Sequence, residues 1–209
     1  GSSAIEQDAY LRAADCYFMN KDFKQALKMY ELVINNQFVS ADYALYQKGI
    51  IAGALNKNVE KISLLQSLER QYPSSALVAD AYLEMANTYL ADENYQAAIA
   101  PLQKVINNAR AAALAPQSYL KLGVVYFNLD RSDESLESFK KLVTGYPNTE
   151  ESSDAIEYIR NIFIEKQKPD EFAAFMKQNG KSITYSEEDS LSFRSPMLRY
   201  EAKDWTGAR

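Results

Sequence analysis

Large, mostly aromatic residues recur along this chain at an almost fixed interval. Tyr10, Tyr46, Tyr82, Tyr119 and Ile156 are separated by 36, 36, 37 and 37 residues, and a second anchor follows each as Tyr17, Gly53, Tyr89, Tyr126 and Phe163. A sustained period of that length marks a repeat architecture, in which each unit buries its apolar face on the next. Inside a unit, apolar residues recur three and four apart, as at Leu136, Phe139, Leu142 and Val143. That is the pattern of an amphipathic helix. Each interval therefore holds two helices and a turn. The small residues Ala14, Ala86 and Gly123 fall where paired helices must come close, and Pro73, Pro116 and Pro147 mark helix ends.

The composition restricts the chemistry. The 209 residues contain no histidine, which removes His-based triads, the usual zinc sites and the commonest general base. No glycine-rich phosphate loop, nucleophile elbow or metal-ligand spacing is present. No catalytic residue, cofactor or metal site is expected, and the chain reads as a non-enzyme. The paired acids Asp92 and Glu93, and Asp133 and Glu134, fall at helix turns, where capping is their expected role. A net charge of −5 speaks against a nucleic-acid partner. The longest apolar run, residues 50–55, is far too short to cross a bilayer. The single cysteine, Cys16, cannot form an internal disulfide and is expected to be an inert core thiol.

The segment Tyr119-Leu-Lys-Leu122-Gly123-Val-Val-Tyr126, followed by Ser135, Phe139 and Pro147, resembles the tetratricopeptide repeat family, with Tyr standing for the usual Trp. Tyr82, Met85, Ala86 and Tyr89, with Tyr95 and Ala98, read the same way, as do Tyr10, Ala13, Ala14 and Tyr17 with Phe23, Ala26 and Tyr30. The resemblance implies an all-α fold, a right-handed α-α superhelix of helix pairs. Five units are expected over residues 4–180, at about 8–41, 42–79, 80–115, 116–152 and 153–180. The Tyr-Pro pairs at residues 72–73 and 146–147 are similar to those of the BamD and YbgF/CpoB type of bacterial envelope protein. That likeness implies a periplasmic or outer-membrane-associated location, with a cytoplasmic one as the alternative.

Residues 1–3 read as an expression scar and 181–192 as a linker. Its acidic triplet, Glu187, Glu188 and Asp189, reads as a solvated loop or helix start rather than a calcium site. Residues 193–209 read as the start of a further, truncated repeat, since Lys203-Asp204-Trp205 echoes Lys21-Asp22-Phe23. Long repeat proteins of Bacteroidetes-type bacteria have a similar segment.

In the family, ligands lie against the first helix of each pair. The corresponding positions here are Leu11, Asp15 and Phe18; Gln47, Ile51 and Ala54; Leu83, Asn87 and Leu90; Leu120, Val124 and Phe127; Glu157, Asn161 and Ile164. An apolar groove with few hydrogen-bonding groups suits an amphipathic helix or an extended peptide. The alternative is that another segment or a second copy covers it. The Lys, Arg and Asn clamp that holds a chaperone's C-terminal carboxylate is absent. The expected function is a scaffold binding a protein or peptide segment. An assembly module of a larger array is the alternative, and an accessory polysaccharide-uptake protein is a further one. Most of the fifteen tyrosines fall on core anchors rather than forming a sugar platform.

Overall fold

The computed structural model describes residues 3–181, so the expected linker triplet and the further repeat with Trp205 lie outside the described residues. The described chain forms ten α-helices: α1 Ala4–Met19, α2 Phe23–Asn35, α3 Ala41–Ala54, α4 Asn58–Gln71, α5 Leu77–Ala91, α6 Tyr95–Ile106, α7 Ala115–Asn128, α8 Ser132–Gly145, α9 Glu150–Glu165 and α10 Pro169–Gln178. A 3-10 turn, Ala109–Leu114, precedes α7. Tyr72 and Tyr146 are the C-caps of α4 and α8, so Pro73 and Pro147 stand just past helix ends, while Pro116 opens α7. Pro101 is different: it lies buried inside α6, where its ring removes one backbone donor.

Local chemistry sets the helix starts. Side-chain oxygens of Asp22, Asn94 and Thr149 accept from the backbone N–H three residues on, each satisfying a donor that the helix leaves open. Ser3 does the same for Glu6, so the last residue of the expected scar is the N-cap of α1. The acid pairs do not cap as expected. Asn94, not Asp92 or Glu93, caps α6, and Arg131 precedes α8 without a side-chain cap. Asp133 instead pairs with Lys166 at 2.7 Å, and Glu134 pairs with Arg131 at 2.8 Å. Lys166 holds the Asp133 carboxyl below the usual carboxylate range through its hydrogen bond and charge.

The turn inside each pair is the same device five times. Lys21, Asn56, Glu93, Asp130 and Gln167 all have φ between 53° and 58°, at spacings of 35, 37, 37 and 37. The N–H of the following residue reaches back to the carbonyl of Tyr17, Ala52, Tyr89, Tyr126 or Phe163, at 2.8–2.9 Å. This is a Schellman ending, which satisfies carbonyls that a helix terminus leaves open. None of the five is glycine, the residue for which the left-handed backbone carries no steric penalty.

The chain divides into two compact units, up to Thr88 and from Tyr89 onward. In the first, Ala14, Ala26, Tyr30, Val33, Phe38, Ala44 and Ile51 form a buried cluster. In the second, Phe139, Leu142, Ile159, Ile162, Phe163 and Phe172 are the centre of another, each at most 2 % exposed. Burying side chains of this size contributes about 1.5–3 kcal/mol each before ordering entropy is subtracted. Cys16 is exposed, contrary to the core thiol expected. It follows the buried Ala14 by two positions on α1, which turns it about 200° away, and the neighbouring Tyr17 is also 38 % exposed.

Candidate interaction surface

The turns provide a structural ruler for the first helices. Counting back from them, the residue equivalent to Tyr17, Tyr89 and Tyr126 is Ala52, not Gly53, and the first anchor of the second pair is Leu45, not Tyr46. Packing agrees. The small-residue position, occupied by Ala14, Ala86 and Gly123, falls on Gly49, where an added β-carbon would lie 2.9 Å from Leu65. The expected anchors of the second pair are thus out of register by one residue.

The expected surface residues separate accordingly. Ile51 is fully buried in the first unit's core, because the true register places it on the inward side of α3. Position for position, the half-buried Ile50 takes its place, while Tyr46, the counterpart of Leu11, is itself buried at 4 %. Leu11, Asp15, Phe18, Gln47 and Asn87 are half-buried in the first unit, whereas Leu83 is 8 % exposed. In the second unit Leu90, Leu120 and Val124 are buried, while Phe127, Asn161 and Ile164 keep part of their surface. Phe127 sets its edge against Tyr158 with ring centroids 5.7 Å apart. An open cleft of about 1100 Å³ between α8 and α10, lined by Leu136, Lys140, Tyr146 and Phe175, includes none of these positions.

Asp15 and Gln47 are joined through Tyr30, a position of the repeat pattern, and Tyr43, which the pattern does not single out. The Tyr30 hydroxyl, carried in by α2, donates to Asp15 Oδ1 at 2.5 Å, and Tyr43 of α3 donates to the same oxygen at 3.2 Å. Gln47 in turn hydrogen-bonds Tyr43. Burial first, and then the Asp15 carboxylate, push both phenols above the ordinary tyrosine range. No sequence signal marks Tyr43 as a partner of Asp15, since its counterpart in the first pair, Asp8, pairs with Arg12 at 2.6 Å instead. Asn87 contributes a buried carbonyl oxygen, Oδ1, that accepts no hydrogen bond. Apolar area surrounds a few held acceptors.

The tetratricopeptide repeat sequence profile matches residues 8–37, 43–75, 80–110 and 117–149, with starts spaced as the turns are. The chain belongs to the tetratricopeptide repeat family. The fifth helix pair of this tetratricopeptide protein, α9 and α10, carries no such match. There Arg160 stands at the small position and Phe172 where Ala26 and Ala98 stand in other pairs. Compared by sequence with curated proteins, the chain matches none. Among solved structures it is similar to one titled as the crystal structure of MamA protein, at 21% identity and TM-score 0.61, covering 92% of this chain and 97% of that one. It is likewise similar to MamA 41-end from Desulfovibrio magneticus RS-1, at 16% identity and TM-score 0.59, covering 88% and 96%. A third, MamA AMB-1, gives 20% and 0.59 over 92% of this chain and all of that one. At such identities the likeness establishes a shared fold: the all-α class expected from the spacing.

Proposed function

We propose that this tetratricopeptide repeat protein is a non-catalytic scaffold that holds a peptide or helical segment of another protein against its first helices. The observation that carries the reading is the half-buried set Leu11, Asp15 and Phe18 on α1. It combines apolar area with a carboxylate already fixed by Tyr30 and Tyr43. Preorganised groups lose little entropy on binding, which favours affinity. In the second unit Phe127, Asn161 and Ile164 are the corresponding contacts. Site-specific photocrosslinking tests the assignment. A benzophenone side chain at residue 18 or 164 captures the partner, and one at Glu137, on the outward α8, does not. Capture from Glu137 alone sinks the reading.

A second reading, assembly with further copies, is favoured by apolar side chains left at the surface of the first unit: Ile5, Met19, Val39 and Val59 are each at least 78 % exposed. Light scattering over a concentration series separates the two, since a strict monomer at all concentrations removes self-assembly. The resemblance to envelope proteins of the BamD and YbgF/CpoB type supports a bacterial periplasmic or outer-membrane-associated location. Among the described residues no helix is long and apolar enough to cross a membrane. Fractionation of cells making the native protein, with recovery in the cytosol, would overturn that location.

A further inference from the structure

We infer that the segment bound by the first unit is apolar and cationic, carrying Lys or Arg beside its anchoring apolar side chains. The inference rests on the groove reading above and names the partner's chemistry. On α1 the half-buried Leu11 and Phe18 flank Asp15, and Phe18 meets Phe23 with ring centroids 6.0 Å apart. The Asp15 carboxylate is held at one oxygen only. Oδ1 takes both tyrosine hydroxyls, and Oδ2 accepts from no described residue. A carboxylate whose rotamer is fixed by two other helices, with one oxygen uncommitted, is prepared for a charged donor.

The other polar groups on the expected first-helix surface of this unit add no positive charge. Gln47 and Asn87 are uncharged, and the buried Oδ1 of Asn87 is another acceptor without a donor. In the register set by the turns, none of the equivalent surface positions on α3, or on α5 up to Asn87, carries Lys or Arg. Arg12, one turn from Asp15 on α1 and near enough to act on its charge, is already paired with Asp8 at 2.6 Å. Lys48 and Lys61 are paired with Glu31 at 3.0 Å and Glu84 at 2.9 Å. An acidic segment would meet a fixed carboxylate whose nearest cation along the helix, Arg12, is already engaged by Asp8, which is how such a surface rejects a wrong partner. A cationic segment supplies the missing donor while its apolar residues cover Leu11 and Phe18.

Two fluorescent twelve-residue probe peptides test this by anisotropy on the full chain, one alternating Leu with Lys and one alternating Leu with Glu. The Lys peptide is expected to bind, and Asp15→Asn to weaken it about tenfold, because the amide keeps the tyrosine contacts but loses the charge. Glu137→Gln removes the same charge on the outward face and should leave affinity unchanged. Equal weakening by both substitutions means attraction by net charge alone and overturns the inference. Tighter binding of the Glu peptide overturns it too. If neither peptide binds while residue-18 crosslinks to a native partner persist, the cationic class fails and the groove reading stands. Loss of those crosslinks as well removes both.

Discussion

The ring of Phe139 occupies the space that a β-carbon on Gly123 would need, 2.4 Å from it at closest. Phe139 is fully buried and stacked on Tyr158 at 4.8 Å, so the ring cannot swing away. Gly123→Ala should therefore destabilise the protein by about 1–3 kcal/mol, the usual range for overpacking. Gly145→Ala is the control. Nothing lies within 4 Å of its added carbon, and it should stabilise by about 0.5–1 kcal/mol through helix propensity. Urea denaturation of the pair measures both signs.

That contact was legible in the sequence, because only a small residue at a helix crossing explains why Ala14, Ala86 and Gly123 recur. The register of the second pair was not. Leu45 and Tyr46 are adjacent, apolar and equally buried at 4 %, and aromaticity favoured the wrong one. Only the backbone turn at Asn56 decides between them. That Tyr30 and Tyr43 hold Asp15 was also hidden, since residues 15 and 28 positions away are joined by packing geometry and not by period.

Alkaline pH should weaken the fold through Tyr30 and Tyr43. Both folded phenols ionise above the ordinary value of about 10, Tyr30 well above it. The stabilisation is complete below the unfolded value and is lost as pH climbs past it towards the folded values. Tyr30→Phe should cost about 1.5–3 kcal/mol at pH 7, from the lost hydrogen bond to a charged group. It should also flatten the fall in stability above pH 10. An unchanged alkaline limb in chemical denaturation would show that Tyr30 titrates like a free phenol.

Cys16 should react with a thiol reagent in the native protein, without denaturant, to one equivalent per chain. Cys16→Ser should alter stability by no more than about 0.5 kcal/mol, as for other exposed positions. Reaction that waits for unfolding would restore the core thiol.

The left-handed turns hold unused stability. Glu93→Gly and Lys21→Gly should each raise it by about 0.5–1 kcal/mol, as relief of the left-handed strain outweighs the added freedom of glycine in the unfolded chain. Thermal melts rising by a few degrees would bear this out.

Gly53 and Lys61 form a reciprocal substitution. In the turn register, three other pairs carry a large residue at the Gly53 position (Phe18, Leu90 and Phe127) and a small one at the Lys61 position (Ala26, Ala98 and Ser135). Here the sizes are exchanged, and a β-carbon on Gly53 would lie 2.8 Å from Lys61 Cδ. Gly53→Leu alone should destabilise by about 1–3 kcal/mol, and adding Lys61→Ala should recover part of the loss in a double-mutant cycle.

That exchange makes the helix pairs keyed parts and not interchangeable bricks. A second helix lifted from one pair and fitted to another would bring bulk against bulk or leave a void. Shuffling, deleting or duplicating pairs within this chain would succeed only when both halves of a joint travel together. The order of the repeats is thus written into their mating surfaces.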